Sequence, residues 1–404
     1  MLMIEGGVCA AKGFLAGGIH CGIRKNKAKR DLALIISEKR AAAAGVYTQN
    51  LVKGAPIYVT MEHLQDGYAQ AMICNSGNAN TCNADGIDIA KGMCALVEQH
   101  FHIPAADVIV ASTGVIGQPL SLEPIASGMP ALAKSLGIDG AAMAAEAIMT
   151  TDTMKKEIAF SFEIGGTICH IGGMAKGSGM IHPNMATMLV FVTTDVAITP
   201  QMLQKALKED VVDTFNMVSV DGDTSTNDMV SILANGFAGN VLIDGEGEAF
   251  DGFKAALNAV TSHLCKAIAK DGEGATKLIT CSVAGAANKE TARKTAKSVV
   301  CSNLLKAAMF GADANWGRVL CAIGYSGAAV DVTKVDVTFA SPAGHLPVCI
   351  QGAGIPFSEE KAKEILSMEE VEVQISLHAG ESSATAWGCD LTYDYVKING
   401  DYRT

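Results

Sequence analysis

Aromatic residues are scarce, only 5% of the 404 residues, so the core has to be built from Ala, Val, Ile, Leu and 18 Met. Excess positive charge is also lacking. Lys plus Arg total 31 against 42 Asp plus Glu, a net charge of −11, which excludes the electrostatic footprint that phosphate backbones require of a partner and leaves no nucleic acid expected. No C-x-x-C pair occurs among the twelve cysteines, scattered from Cys9 to Cys389; a disulfide framework is excluded and the thiols read as reduced, mostly buried small hydrophobes. No stretch approaches the ~18 uninterrupted apolar residues of a membrane span, and the N-terminal residues lack the basic and apolar regions of a signal peptide. The expectation is a cytoplasmic protein with no membrane partner. There is no Gly-Lys dipeptide, hence no P-loop. Gly177-Ser-Gly179, Gly245-Glu-Gly247 and Gly272-Glu-Gly274 each lack the third glycine of a dinucleotide fingerprint, holding His182, Phe250 and Lys277 there instead. H-E-x-x-H is absent and the nine histidines show no ligand spacing, so no metal is expected.

What is present is a globular composition: 49% hydrophobic, 18% charged and 42 glycines, enough for many tight loops and for close approach of backbones. The length suggests two or three domains at ~150 residues each. Apolar, β-branched runs predict strands at Leu32–Ile36, Ile57–Thr60, Ala71–Cys74, Val108–Ser112, Ile158–Phe162, Lys334–Phe339, Val371–Leu377 and Tyr393–Ile398. Periodicity near 3.6 predicts helices at Ile87–Phe101, Leu122–Leu136, Pro200–Phe215, Phe253–Ile268, Glu290–Met309 and Glu359–Leu366. Strands and helices are interspersed without a regular β-α-β period. The fold class is therefore α/β (α+β), mixed β-sheets layered against helices.

One segment stands out: Lys176-Gly-Ser-Gly-Met-Ile-His-Pro-Asn-Met-Ala-Thr187, a glycine turn and a Pro-Asn turn leading into an apolar strand that ends near Asp195. Taken alone it is ordinary turn chemistry before a strand in which threonine is at home. It is accompanied by polar, glycine-punctuated loops at Asn75–Asn80, Ser112–Gly117, Thr150-Thr-Asp152, Asp221–Asp228, Asp271–Gly274 and Gly311–Gly317, the kind of loop that carries function on a rigid scaffold. The set, in this order and spacing, resembles the glutamate N-acetyltransferase / ornithine acetyltransferase family of arginine biosynthesis. The resemblance runs from Gly7-Val-Cys-Ala-Ala-Lys-Gly-Phe14 to Asn399-Gly-Asp-Tyr-Arg-Thr404, and its most specific pieces are Lys176–Thr187 and Asp221–Asp228.

The resemblance implies a DmpA/ornithine acetyltransferase-like fold and a precursor that cleaves itself between Ala186 and Thr187. Residues 1–186 and 187–404 would stay together as α and β chains, expected in an α2β2 heterotetramer. Thr187 would then be an N-terminal nucleophile. A hydroxyl can attack the preceding carbonyl when the bond is held in a strained turn, and the freed α-amino group, with a pKa near ~7.7–8.0, can serve as its base. The implied reaction is ping-pong transfer of acetyl from N-acetylornithine to glutamate through acetyl-Thr187. The implied oxyanion hole is Thr113 and Gly114, and the implied substrate ligands are Thr150, Lys176, Thr187, Glu273, Asn399 and Thr404. Thr151 competes with Thr150 for its role. For Thr113 and Gly114 the local alternative is a plain turn after a strand, for Lys176 a solvated lysine, for Glu273 an exposed loop glutamate after a helix ending near Lys270, and for the C-terminal pair a frayed end. His182 stands where many relatives carry a small residue, either tuning processing or sitting in a turn without a role. The family uses no cofactor. Some members also take acetyl from acetyl-CoA, and nothing in the sequence decides that point. Two other readings remain open: a related self-cleaving aminopeptidase or amidase that passes the acyl group to water, and a non-catalytic glycine-rich binding protein that stays one chain.

Overall fold

The computed structural model describes residues 1–182 and 188–401. Two compact units divide the chain, the first formed by residues 1–177, 184–212 and 224–264, the second by 178–183, 213–223 and 265–404. This is a division by packing, whereas the sequence division at 186/187 is covalent and lies outside the described residues.

Among the described residues the first unit holds a nine-stranded mixed sheet. Its strands are β1 (Leu2–Ile4), β2 (Phe14–Ile19), β3 (Leu32–Tyr47), β4 (Tyr68–Asn78), β5 (Val108–Val115), β6 (Lys156–Ile164), β7 (Thr167–Lys176), β8 (Leu189–Thr194) and β10 (Met229–Ala234), in the order β1-β6-β7-β8-β10-β3-β4-β5 with β2 also paired to β3. Strand alternation divides its side chains between two cores. Leu32, Leu34, Ile73, Val108 and Val110 meet Met93 and Val97 of the helix Gly86–Phe101 and Met129 and Leu132 of the helix Glu123–Ser135. Ala33, Ile35, Met72, Ile109 and Ala111 join the alanine-rich helix Ala141–Ala147 in the other. The scarcity of aromatics is thus met by Ala, Ile, Val and Met, as the composition requires.

In the second unit β9 (Val218–Ser219), β11 (Leu278–Ala286), β12 (Asp336–Ser341), β13 (Gly344–Ile350), β14 (Ala353–Gly354), β15 (Glu370–Ser376) and β16 (Ser382–Cys389) pair in the order β14-β13-β12-β15-β11-β16-β9. Its helix Lys289–Cys301 buries Ala292, Ala296, Val299 and Val300, and packs on β11 and β16.

Most expected elements are present, and the mixed-sheet class holds. Three differ. Ile57–Thr60 belongs to the helix Ala55–His63 rather than a strand: Pro56 sits in its first turn, and the β-branched Thr60 exchanges hydrogen bonds with β5, donating to Val110 O at 2.8 Å and accepting from Val110 N–H at 2.9 Å. Burial overrides propensity there. Tyr393–Ile398 lies in the helix Tyr393–Gly400, capped by Thr392, whose hydroxyl accepts from Tyr395 N–H at 3.3 Å. Glu290–Met309 is two helices, Lys289–Cys301 and Asn303–Phe310, with Ser302 capping the second through Leu305 N–H. The helix begun at Pro200 also stops at Val211, short of Phe215.

All twelve cysteines are free thiols; seven are buried, and Cys82 and Cys321 are exposed. No helix among the described residues is long and apolar enough to cross a membrane.

Candidate active site

Thr113 and Gly114 close β5, half-buried, beside the end of β4. The two parallel strands are in register at Ser76–Thr113 and Gly77–Gly114, with an irregularity at Asn78. Gly114 has φ +136° and Gly77 φ +97°, backbone angles that side chains rarely permit. A Cβ on Gly114 would stand 2.3 Å from the Gly77 carbonyl carbon. These strand ends therefore approach as only two glycines allow.

Asn227 holds this corner. Its Nδ2 donates to Ala79 O at 2.6 Å and to Ser112 O at 2.9 Å, while its Oδ1 accepts from the hydroxyls of Thr81 and Thr226, both at 2.6 Å. One buried amide thus meets its full hydrogen-bonding capacity and fixes the residue before Thr113.

Thr150 precedes a buried carboxylate that organises three segments. Asp152 accepts from Thr150 N–H at 2.8 Å, from Gly177 N–H at 2.8 Å and from Lys156 Nζ at 2.7 Å, and the Thr150 hydroxyl reaches it at 3.5 Å. Thr151 has no such tie to it, which favours Thr150 as the ordered member of the pair. Burial by itself would raise the Asp152 pKa, but Lys176 and Lys156 outweigh it and hold the carboxyl well below the usual range. Lys176 is the last residue of β7 and is buried at 8% exposure. The solvated-lysine reading is thereby set aside.

In the second unit Glu273 is also buried, at 8% exposure, so the exposed-loop reading fails for it too. Its N–H donates to Ser178 O at 2.9 Å, and its Oε2 accepts from Asn399 Nδ2 at 2.8 Å. Gly179 makes room: a Cβ there would lie 2.4 Å from the Glu273 carboxyl carbon. The loop after Gly179 is held by Asp221, which accepts from Met180 N–H at 2.6 Å and Ile181 N–H at 2.9 Å. Asn399 is thus ordered on Glu273, within a helix whose cap residue Thr392 also donates to Gly274 O at 2.6 Å.

Ala186, Thr187 and Thr404 lie outside the described residues. His182 sits in the second unit, its Nδ1 3.1 Å from Ser219 Oγ and 3.5 Å from Cys301 Sγ. Burial, then the Lys297 ammonium, lowers its pKa to about 4. Sequence reasoning overlooked Asp152 and Asn227 as organisers. Both stand in loops it had singled out, but what marks them is the set of distant backbone groups they bind.

Buried charged and amide side chains converging on glycine-lined strand ends, with a second carboxylate–amide pair on a glycine loop, define an α/β enzyme of group-transfer type. The model of the ArgJ family matches residues 15–404, and the chain belongs to that family. The arginine biosynthesis bifunctional protein ArgJ of Symbiobacterium thermophilum is 53% identical over 100% of both chains. ArgJ 1 of Clostridium acetobutylicum is 50% identical over 97% of this chain and 96% of its own. The crystal structure of ArgJ from Bacillus halodurans covers 52% of this chain and 98% of its own, at 47% identity and a TM-score of 0.50.

Proposed function

We propose that the chain cleaves itself between Ala186 and Thr187 and then transfers acetyl from N-acetylornithine to glutamate through an acetyl ester on Thr187. It is an acyltransferase of arginine biosynthesis, as its family is; the residue roles are our reading. Thr187 Oγ attacks the acetyl carbonyl, its own α-amino group taking the proton, and a tetrahedral oxyanion forms. Thr113, through its hydroxyl, and Gly114, through its N–H, stabilise that charge; one such donor is worth about 2.7–4 kcal/mol in the transition state. Ornithine leaves, glutamate enters, and its amine takes the acetyl group by the reverse steps. Lys176 receives a substrate carboxylate, and Glu273 with Asn399 receives its ammonium groups, with Thr150 and Thr404 completing the set. No cofactor is required. We also propose that the cleaved chains pair as an α2β2 assembly in the cytoplasm.

The observation that carries this reading is the position of Lys176. It pairs in register with Leu189, so a buried cation stands on the strand next to the one that follows Thr187. Intact mass tests it: two fragments split at 186/187 are expected, and Thr187→Ala should stay whole. An uncut, inactive wild-type chain sinks the reading. Mixing with N-acetylornithine alone should leave an acetyl group on residue 187, and acyl flow to water in place of glutamate would favour the amidase alternative.

A further inference from the structure

Three strand ends stand abreast in the first sheet. Lys176 of β7 is opposite Leu189 of β8, and Leu189 is opposite Met229 of β10. Met229 N–H also donates to Met188 O at 2.9 Å, so β10 enters the sheet beside the residue that follows position 187 in the chain. Immediately before Met229 is Asp228. It is 2% exposed, and among the described residues nothing hydrogen-bonds its Oδ2.

A bare buried acceptor costs about 1–3 kcal/mol and calls for an explanation. Poor anchoring does not supply one, because the adjacent Asn227 is fully bonded to Ala79, Ser112, Thr81 and Thr226. The Asp228 backbone is pinned as well, its carbonyl accepting from Thr48 N–H at 3.0 Å. The groups that face the carboxyl are the Ser225 hydroxyl and the Lys176 ammonium; burial outweighs both and raises its proton affinity well above that of an ordinary aspartate. A rigid acid with one free oxygen, beside the chain segment that must react, suits a group that meets its partner only during reaction.

We propose that Asp228 carries the proton in self-cleavage. Its Oδ2 takes the Thr187 hydroxyl proton as the Oγ–C bond to the Ala186 carbonyl forms, and returns it to the Thr187 nitrogen as the C–N bond breaks. The carboxylate ends as it began, and water then hydrolyses the Ala186 ester to a free carboxyl and the Thr187 hydroxyl. The inference rests on the self-cleavage reading above. An elevated proton affinity serves it, since a proton carrier works best when its pKa nears the operating pH.

The test is cell-free synthesis of the full chain, with intact mass sampled over time. Asp228→Asn should slow cleavage at least ~100-fold, within the range that general acid–base catalysis supplies. Its melting temperature should equal or exceed that of the equally uncut Thr187→Ala, because a bare acid has been removed; a lower value would mark a structural role and count against the proposal. A folded Asp228→Asn chain cut within about threefold of the wild-type rate overturns the proposal and leaves the cleavage reading standing. A wild-type chain that stays whole overturns the reading itself. Should the Asn variant not fold, Asp228→Glu decides: cleavage more than ~10-fold slower supports the displaced proton carrier, and a folded Glu variant cut at the wild-type rate refutes it.

Discussion

Asn399 Nδ2 donates to Glu273 Oε2 at 2.8 Å, tying the last described helix to the loop after residue 270. A hydrogen bond to a charged group contributes about 1.5–3 kcal/mol. Asn399→Ala should therefore raise KM for N-acetylornithine roughly 10-fold or more, with a smaller change in kcat, while intact mass still shows two fragments. Steady-state kinetics reads this out, and an unchanged KM would remove Asn399 from the site.

Gly114 leaves no room for a methyl group, its Cβ position being 2.3 Å from the Gly77 carbonyl carbon and 2.5 Å from Asn78 N. Gly114→Ala must shift both strand ends. Loss of an oxyanion donor, about 2.7–4 kcal/mol, translates to a kcat at least ~100-fold lower. The companion Asn227→Ala should give a milder loss with a lowered melting temperature. Wild-type turnover in Gly114→Ala would show that this corner does not meet the reacting carbonyl.

Asp152 stabilises the fold as a carboxylate. Its folded pKa lies below the unfolded value of about 3.9, so its contribution is complete above roughly pH 4 and is lost as pH falls below that. Asp152→Asn leaves Lys156 without its partner, and breaking such a buried pair costs on the order of 3–5 kcal/mol. A lower urea midpoint at pH 7 is expected. The gap to wild type should narrow in acid, and a gap that stays constant down to pH 2 would contradict the assignment.

His182 works in the same direction at higher pH. Its folded pKa of about 4 lies below the ordinary 6.5, so the neutral ring is favoured by folding. The stability it contributes is present in full above pH 6.5 and lost as pH falls toward 4. His182→Gln should flatten the melting temperature of the protein across that window. An unaltered slope would show that other groups carry it.

Much of the fold was legible because its signals are local: period-two runs gave β3, β4, β5 and β15, and steps of three and four gave the helix Glu248–Lys270. The failures came where tertiary partners decide. Ile57–Thr60 reads as a strand until Thr60 finds Val110, and the tyrosines after Thr392 alternate like a strand yet are started as a helix by its cap. Within the candidate site, glycine spacing pointed to Gly114 and the loop around Glu273. Asp152 and Asn227 were not legible as organisers, since their partners are backbone groups far away in sequence, Gly177 for one and Ser112 for the other. No composition or periodicity encodes such a long-range bond.

The thiols have a practical consequence. Of the twelve, only Cys82 and Cys321 are exposed, and they fall one in each compact unit, while burial pushes the Cys9 thiol up to about 11 and the Cys21 thiol up to about 12. Maleimide dyes near neutral pH should therefore label those two positions first. The native sequence thus supplies its own donor–acceptor pair, and a change in the separation of the units on acetylation could be followed by energy transfer without introducing a single substitution.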